Sequence, residues 1–362
     1  MKNADVSDMD HLILSCRAGF ETECGAEIEA AASVAGVRGR ITKAPHSGYV
    51  IFTPSEKNIA TLLFRKISFD SLIFSRQMIG VFSEITGLPQ NDRIGPIIAA
   101  LKTKSLSVNQ VSVETADAEA TKPILPFCAS FSHHFTKAIE NEGWLASGEC
   151  ESGLRLHLFF LTSDRVYAGV SDISNSSPWY MGIPRLKFPR EAPSRSTLKL
   201  EEAFLVFLTE EQRNKLLRPG LQAVDLGAAP GGWTYQLVRR GMRVTAVDNG
   251  AMDPAIMQSG LVKHFRADGF GYKPAKPVDW MVCDIVEQPA RIAKLAGQWM
   301  AGGWCRHAIF NLKLPMKKRY EEALRCKGII EKEMRGSGVR FELRFKQLYH
   351  DREEVTGFLT RR

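Results

Sequence analysis

Asp225-Leu-Gly-Ala-Ala-Pro-Gly-Gly-Trp-Thr234 decides how the C-terminal half of this chain folds. The stretch joins an apolar run, residues 221–226, to an amphipathic segment that starts near Gly232, so it reads as strand, glycine-rich turn and helix. Glycines at such a turn let backbone approach a ligand closely, and a helix start presents unpaired N–H groups and the positive end of a dipole. About 20 residues later, Val244-Thr-Ala-Val-Asp248 reads as a second strand ending in a carboxylate. The pair is the nucleotide-binding half of an open α/β sheet, with Asp248 placed to accept hydrogen bonds from ribose hydroxyls. The turn lacks the G-x-G-x-x-G spacing and carries Pro230 where a dinucleotide fold needs close helix approach. It points to S-adenosylmethionine rather than NAD.

Two further carboxylates end runs of the same kind. Asp268 lies in Phe265-Arg-Ala-Asp-Gly-Phe270, and Asp284 closes Trp280-Met-Val-Cys-Asp. The carboxyl ends of a parallel sheet border one crevice, which would bring Asp268 to the adenine end and Asp284 beside the reacting methyl. Any one of these residues could equally be a helix cap or a turn residue. In Ala308-Ile-Phe-Asn-Leu-Lys-Leu-Pro315, Lys313 stands between two leucines in a run that should be buried. An ammonium there is costly unless paired, so Lys313 is either a lysine snorkelling at the strand exit or a base facing the crevice. Ser196 and Lys199 fall on a helix expected over residues 196–208, just before the sheet, and Glu353 and Glu354 start the expected last strand. Taken alone, these charges are ordinary surface residues.

The rest of the chain bounds the reading. With 362 residues, two or three domains are expected. The composition, 44% hydrophobic and 24% charged, is that of a globular protein with ample core. A net charge of +8 suits a polyanionic partner. Seven cysteines, Cys16, Cys24, Cys128, Cys150, Cys283, Cys305 and Cys326, show no C-x-x-C pair, which argues for reduced thiols and against a zinc site. Asp5, Asp8 and Asp10 precede the first apolar run, unlike a signal peptide, and no stretch is long enough to span a membrane. A cytoplasmic monomer, without a membrane or metal, is the expectation.

Toward the N-terminus, strands at 11–16 and 48–53 alternate with helices ending near Ala35 and spanning 56–64, a ferredoxin-like rhythm over residues 1–75. Residues 76–170 read as a second small α+β module, with helices at 94–101 and 131–141 and strands at 111–114, 154–161 and 165–170. Residues 171–193 are Pro- and Ser-rich with Arg185, Lys187 and Arg190, either a solvated hinge or a basic rim, and residues 194–362 form the nucleotide-binding domain.

The segments SRSTLKLEEAF, DLGAAPGGWT, AVD, WMVCD, FNLKLPMKKRYEE and LYHDREEVT resemble the 2′-O-ribose RNA methyltransferases with a Lys-Asp-Lys-Glu tetrad, and within them the RlmM family, the bacterial 23S rRNA cytidine 2′-O-methyltransferases. Cys16-Arg-Ala-Gly-Phe-Glu21 is similar to the opening of proteins in which a ferredoxin-like unit precedes an RNA-binding THUMP domain. The resemblance implies a Rossmann-like methyltransferase sheet behind ferredoxin-like and THUMP modules, acting on 23S ribosomal RNA or a large-subunit precursor. It implies that Lys199, Asp284 and Lys313 are the first three tetrad members, with Lys313 the proton acceptor, and that Glu353 or Glu354 is the fourth, the register favouring Glu354. S-adenosylmethionine would contact Ser196, the turn Ala229, Pro230, Gly231 and Gly232, and Asp248, Asp268 and Asp284.

Competing chemistries lack their residues. Asp284-Ile-Val-Glu287 is not the Pro-Pro turn of amine methyltransferases, and Cys283 lies within a strand rather than after a proline as a cytosine nucleophile would. The alternative from another class is a noncatalytic RNA-binding assembly factor with a vestigial cofactor pocket. A small-molecule methyltransferase would not need the preceding modules.

Overall fold

The computed structural model describes residues 8–104, 106–146 and 153–362; Asp5 and Cys150 lie outside them. Two compact units divide the chain, Met1–Ile183 and Pro184–Arg362.

The N-terminal unit runs β1 (His11–Ser15), α1 (Glu21–Val34), β2 (Gly39–Lys43), β3 (Tyr49–Pro54), α2 (Ile59–Lys66), β4 (Gln77–Ile85), α3 (Ile94–Leu101), β5 (Gln110–Glu114), α4 (Leu125–Asn141), β6 (Leu154–Thr162) and β7 (Arg165–Asp172). Its strands form one sheet in the order β2-β3-β1-β4-β7-β6-β5. The first six elements, with order β2-β3-β1-β4, are the ferredoxin-like split β-α-β arrangement. The Cys16 to Glu21 segment forms the turn into α1, where Glu21 accepts backbone N–H bonds from Gly19 at 3.1 Å and Gly48 at 2.8 Å.

Strand β4 is not among the strands expected from sequence, and it is the joint of this unit. It pairs antiparallel with β1 on one side and β7 on the other, so residues 1–75 and 76–170 share one continuous sheet. Gly80 hides the strand pattern because the sheet needs a bare Cα there: a Cβ would stand 2.2 Å from Met9 Sδ. Helix α4 starts at Leu125 rather than near 131, since Pro126 in its first turn has a φ already suited to a helix.

The C-terminal unit holds α5 (Thr197–Phe207), α6 (Glu210–Leu216), β8 (Gln222–Leu226), α7 (Gly232–Val238), β9 (Arg243–Val247), α8 (Pro254–Met257), β10 (Val262–Phe265), β11 (Val278–Cys283), α9 (Pro289–Ala301), β12 (Cys305–Lys313), α10 (Arg319–Arg335), β13 (Phe341–Lys346) and β14 (Glu354–Arg361). The sheet order is β10-β9-β8-β11-β12-β14-β13. Strands β8 to β12 run parallel, while β14 is antiparallel to both β12 and β13. The expected open α/β sheet is therefore Rossmann-like with an antiparallel pair at one edge. Chain order reverses between β8 and β11, and the crevice above their carboxyl ends is the place where such sheets bind ligands.

An apolar cluster fixes these strand ends. Trp280 of β11 packs edge-on against Phe204 of α5 at 5.5 Å and tilts against Phe358 of β14 at 6.3 Å. Its indole N–H donates to the Leu216 carbonyl at 2.7 Å, so burying this large ring strands no donor. Among the described residues no helix is long and apolar enough to cross a membrane.

Candidate functional site

The glycine turn begins where β8 stops. Gly231 has φ +119°, a backbone conformation that side chains rarely adopt, and it caps α7. Gly232 opens that helix against the start of α5: a Cβ on it would lie 2.2 Å from Ser196 Oγ and 2.3 Å from Ser194 Oγ. The two hydroxyls hydrogen-bond each other at 2.7 Å. Any side chain at Gly232 therefore pushes the turn away from α5. Gly232→Ala is expected to weaken S-adenosylmethionine binding by about tenfold or more, read by calorimetric titration, with the fold retained by circular dichroism.

Below the turn, the buried Asp225 accepts from Thr234 Oγ1 at 2.6 Å, while its other oxygen has no partner among the described residues. Burial pushes its carboxyl up to about 7, although the Thr234 bond pulls the other way. An acid raised in the folded state gives stability that is present at low pH and lost as pH climbs from about 4 to about 7. Asp225→Asn removes the charge and keeps an acceptor for Thr234. The variant is expected to gain stability relative to the parent between pH 4 and pH 8, on the order of 2 kcal/mol, by urea unfolding at each pH.

The remaining cofactor candidates line the same strand ends. Asp248, directly after β9, accepts the Ala229 N–H at 3.0 Å and the Gly250 N–H at 2.7 Å, so it buttresses the turn that carries Pro230. One lone pair on each oxygen remains for a ribose hydroxyl. Asp268 is exposed, and its Oδ1 accepts the Phe270 N–H at 3.0 Å.

Across the crevice, four charged side chains from four elements meet. Lys313, the last residue of β12, donates to Asp284 Oδ1 at 2.5 Å and to Glu354 Oε2. Lys199 of α5 donates to the other Glu354 oxygen and lies 3.8 Å from Asp284 Oδ2. Antiparallel pairing places Lys313 directly opposite Glu354. Two cations and two anions thus alternate around a closed ring. Between the two candidates for the fourth member, the structure separates sharply: Glu354 is 4% exposed and inside the ring. The Glu353 side chain is 51% exposed and pairs with Arg319 at 2.6 Å.

Charge decides the resting state of this ring. Burial by itself would lower the Lys313 pKa, but Asp284 and Glu354 outweigh it, and the ammonium is held above its ordinary value. Burial would likewise raise Glu354, yet Lys313 and Lys199 hold its carboxyl below the usual range.

Several supporting residues escape a reading of the sequence. Asn311, two residues before Lys313 and so on the same face of β12, donates to Asp284 Oδ1 at 3.0 Å. Thr356 in turn donates to Asn311 Oδ1 at 2.7 Å. Strand periodicity is the signal that could have found Asn311. Of the basic run Lys317-Lys318-Arg319, Lys318 caps α10 in the left-handed region and Arg319 is engaged by Glu353.

Comparison with known proteins agrees along the chain. Residues 9–79 match the RlmM ferredoxin-like domain, residues 92–172 the N-terminal family of ribosomal RNA large subunit methyltransferase M, and residues 192–350 the FtsJ-like methyltransferases. The chain is 51% identical over 348 residues to ribosomal RNA large subunit methyltransferase M of Methylococcus capsulatus, covering 96% of this chain and 97% of that one. It is 48% identical over 358 residues to the protein of that name from Histophilus somni, covering 97% and 99%. For the one from Cellvibrio japonicus the figures are 47% over 351 residues, covering 97% and 99%. Identity of this order across nearly the whole length shows that the chain belongs to the ribosomal RNA large subunit methyltransferase M family.

Proposed function

We propose that this chain transfers a methyl group from S-adenosylmethionine to the 2′-hydroxyl of a cytidine in 23S ribosomal RNA, with Lys313 as general base. The observation that carries the reading is the ring of Lys199, Asp284, Lys313 and Glu354 beside the glycine turn. S-adenosylmethionine supplies a methyl already activated by its sulfonium. Held by Ser196, the Ala229–Gly232 turn and Asp248, it would offer that methyl in line to the 2′-oxygen, with S-adenosylhomocysteine as the leaving group.

The protein then has two tasks, aligning three atoms and removing a hydroxyl proton. Asp284 and Glu354 fix the Lys313 amine in place, and Asn311 fixes Asp284. Lys313 must shed a proton before it can accept one. Repulsion from Lys199, joined by the positive charge of a bound donor, moves the Lys313 pKa down, opposite to the pull of the two carboxylates. A bound donor therefore favours the neutral amine that proton removal requires. The N-terminal unit, read as the THUMP-bearing part, grips RNA by shape, while the net charge of +8 belongs to the chain as a whole and suits contact with phosphates.

Mapping of ribose methylation at nucleotide resolution, in cells lacking the protein, tests the reading. The expected result is loss of one 2′-O-methylcytidine in 23S RNA, restored by the wild-type chain. Loss of a base methylation instead, or binding of donor and RNA by the purified chain without tritium transfer to any RNA, overturns it; the latter would favour the assembly-factor alternative.

A further inference from the structure

The N-terminal unit carries a polar sheet face that the ring of charges does not use. Along β5, Gln110, Ser112 and Glu114 alternate onto one side, and in the parallel register Gln110 stands opposite Arg155 and Ser112 opposite His157. Arg155 is only 6% exposed, donating through Nε to Gln110 Oε1 at 2.8 Å and through Nη1 to the Ser177 carbonyl at 2.7 Å. Its Nη2 has no hydrogen bond among the described residues, although the side chain lines a cavity of about 400 Å³. That nitrogen is reachable from the cavity, so its donors are available to an acceptor placed there.

The cavity has a wall of a different kind. Trp179 and Tyr180 line it together with Ser112 and Ser132, and Tyr180 is 45% exposed. The aromatic turn is held in place from beneath. Glu114 accepts the Met181 N–H at 2.9 Å while its other oxygen pairs with His157, whose second ring nitrogen meets Ser171 at 2.8 Å. Met181 has φ +56°, and the Cβ of a residue replacing Gly182 would lie 2.0 Å from the Arg76 carbonyl oxygen. Left-handed backbone at a non-glycine residue costs about 1–3 kcal/mol and persists where surroundings enforce it. Strand β5 is also the edge of its sheet, so alternate backbone N–H and C=O groups open toward the same region.

We propose that this cavity takes the base of one unpaired RNA nucleotide, stacked on the Trp179–Tyr180 wall with its polar edge toward Arg155 and the open edge of β5. The site lies wholly within Met1–Ile183. It rests on the RNA-methylating reading above and deepens it, by naming how single-stranded RNA is distinguished from duplex. A paired base has its Watson–Crick edge engaged and its faces stacked, so it offers neither to such a slot. Stacking tolerates any base, so the pocket selects strandedness more than sequence.

Fluorescence anisotropy of the full chain tests this with three probes: a short single-stranded RNA, the corresponding duplex, and the same strand with abasic riboses. Wild type is expected to prefer the single strand over both others. Tyr180→Ala should weaken single-strand binding by about tenfold, with an unchanged slope against salt, and Tyr180→Phe should stay within about twofold of wild type. Trp179→Ala should behave as Tyr180→Ala does. Unaltered single-strand binding in both alanine variants overturns the pocket, as does equal weakening toward duplex and abasic strand. Should wild type transfer no methyl to ribosomal RNA while Tyr180→Ala still loses single-strand binding, the catalytic reading fails and the pocket stands.

Discussion

Lys313→Ala is expected to lower the rate of methyl transfer by about 10² to 10⁴, the usual contribution of a positioned base, while leaving S-adenosylmethionine affinity within a few-fold of wild type. The separation follows from geometry, since the Lys313 amine bonds Asp284 and Glu354, whereas the glycine turn is held by Asp248. Single-turnover transfer from a tritiated donor to ribosomal RNA, beside calorimetric titration of the donor, measures both quantities. Because the amine is protonated at rest, the wild-type rate should rise with pH until Lys313 is neutral in the loaded enzyme, then level off. That rising limb should vanish in Lys313→Ala. A variant with near-normal turnover would remove Lys313 from the chemistry.

Glu354→Gln should act on both stability and pH profile. One carboxylate sits between two ammonium groups and is itself buried, so neutralising it leaves Lys199 and Lys313 facing each other with only Asp284 to balance them. Breaking a buried ion pair from one side typically costs about 3–5 kcal/mol. The partly exposed lysines place this variant near the lower figure, about 3 kcal/mol by urea unfolding. The sign of the second effect is opposite to the first. Glu354 raises the Lys313 pKa, so its loss lowers that pKa and moves the rising limb of the rate profile to lower pH. A slower but left-shifted profile is the expected signature. An unshifted limb would show that Lys313 is not the titrating group.

Local patterns make the C-terminal unit legible in its amino-acid order. The Asp225–Thr234 turn, the carboxylates at strand ends and a lysine between leucines each carry their meaning within a few residues. Glu353 against Glu354 is harder, because either residue can start a strand. Only the pairing of β14 with β12 puts Glu354 across from Lys313 and turns Glu353 toward Arg319. In the N-terminal unit, β4 stays hidden because Gly80 dilutes its apolar run, and the need for glycine comes from Met9, far away in sequence. The Trp179–Tyr180 turn reads as linker, since its support is the buried carboxylate of Glu114 on a distant strand. These hidden features depend on contacts between distant segments, and no window of sequence contains those.

Lys199 and Glu354 meet across 155 positions of chain. Their encounter requires the helix ahead of the sheet and its final antiparallel strand to be seated together. On the proposed mechanism, proton removal is thereby tied to completed folding: local fraying of β14 would open the ring and withdraw its acid. A half-assembled domain, even one with its glycine turn already formed, would hold the donor without being able to spend it on RNA.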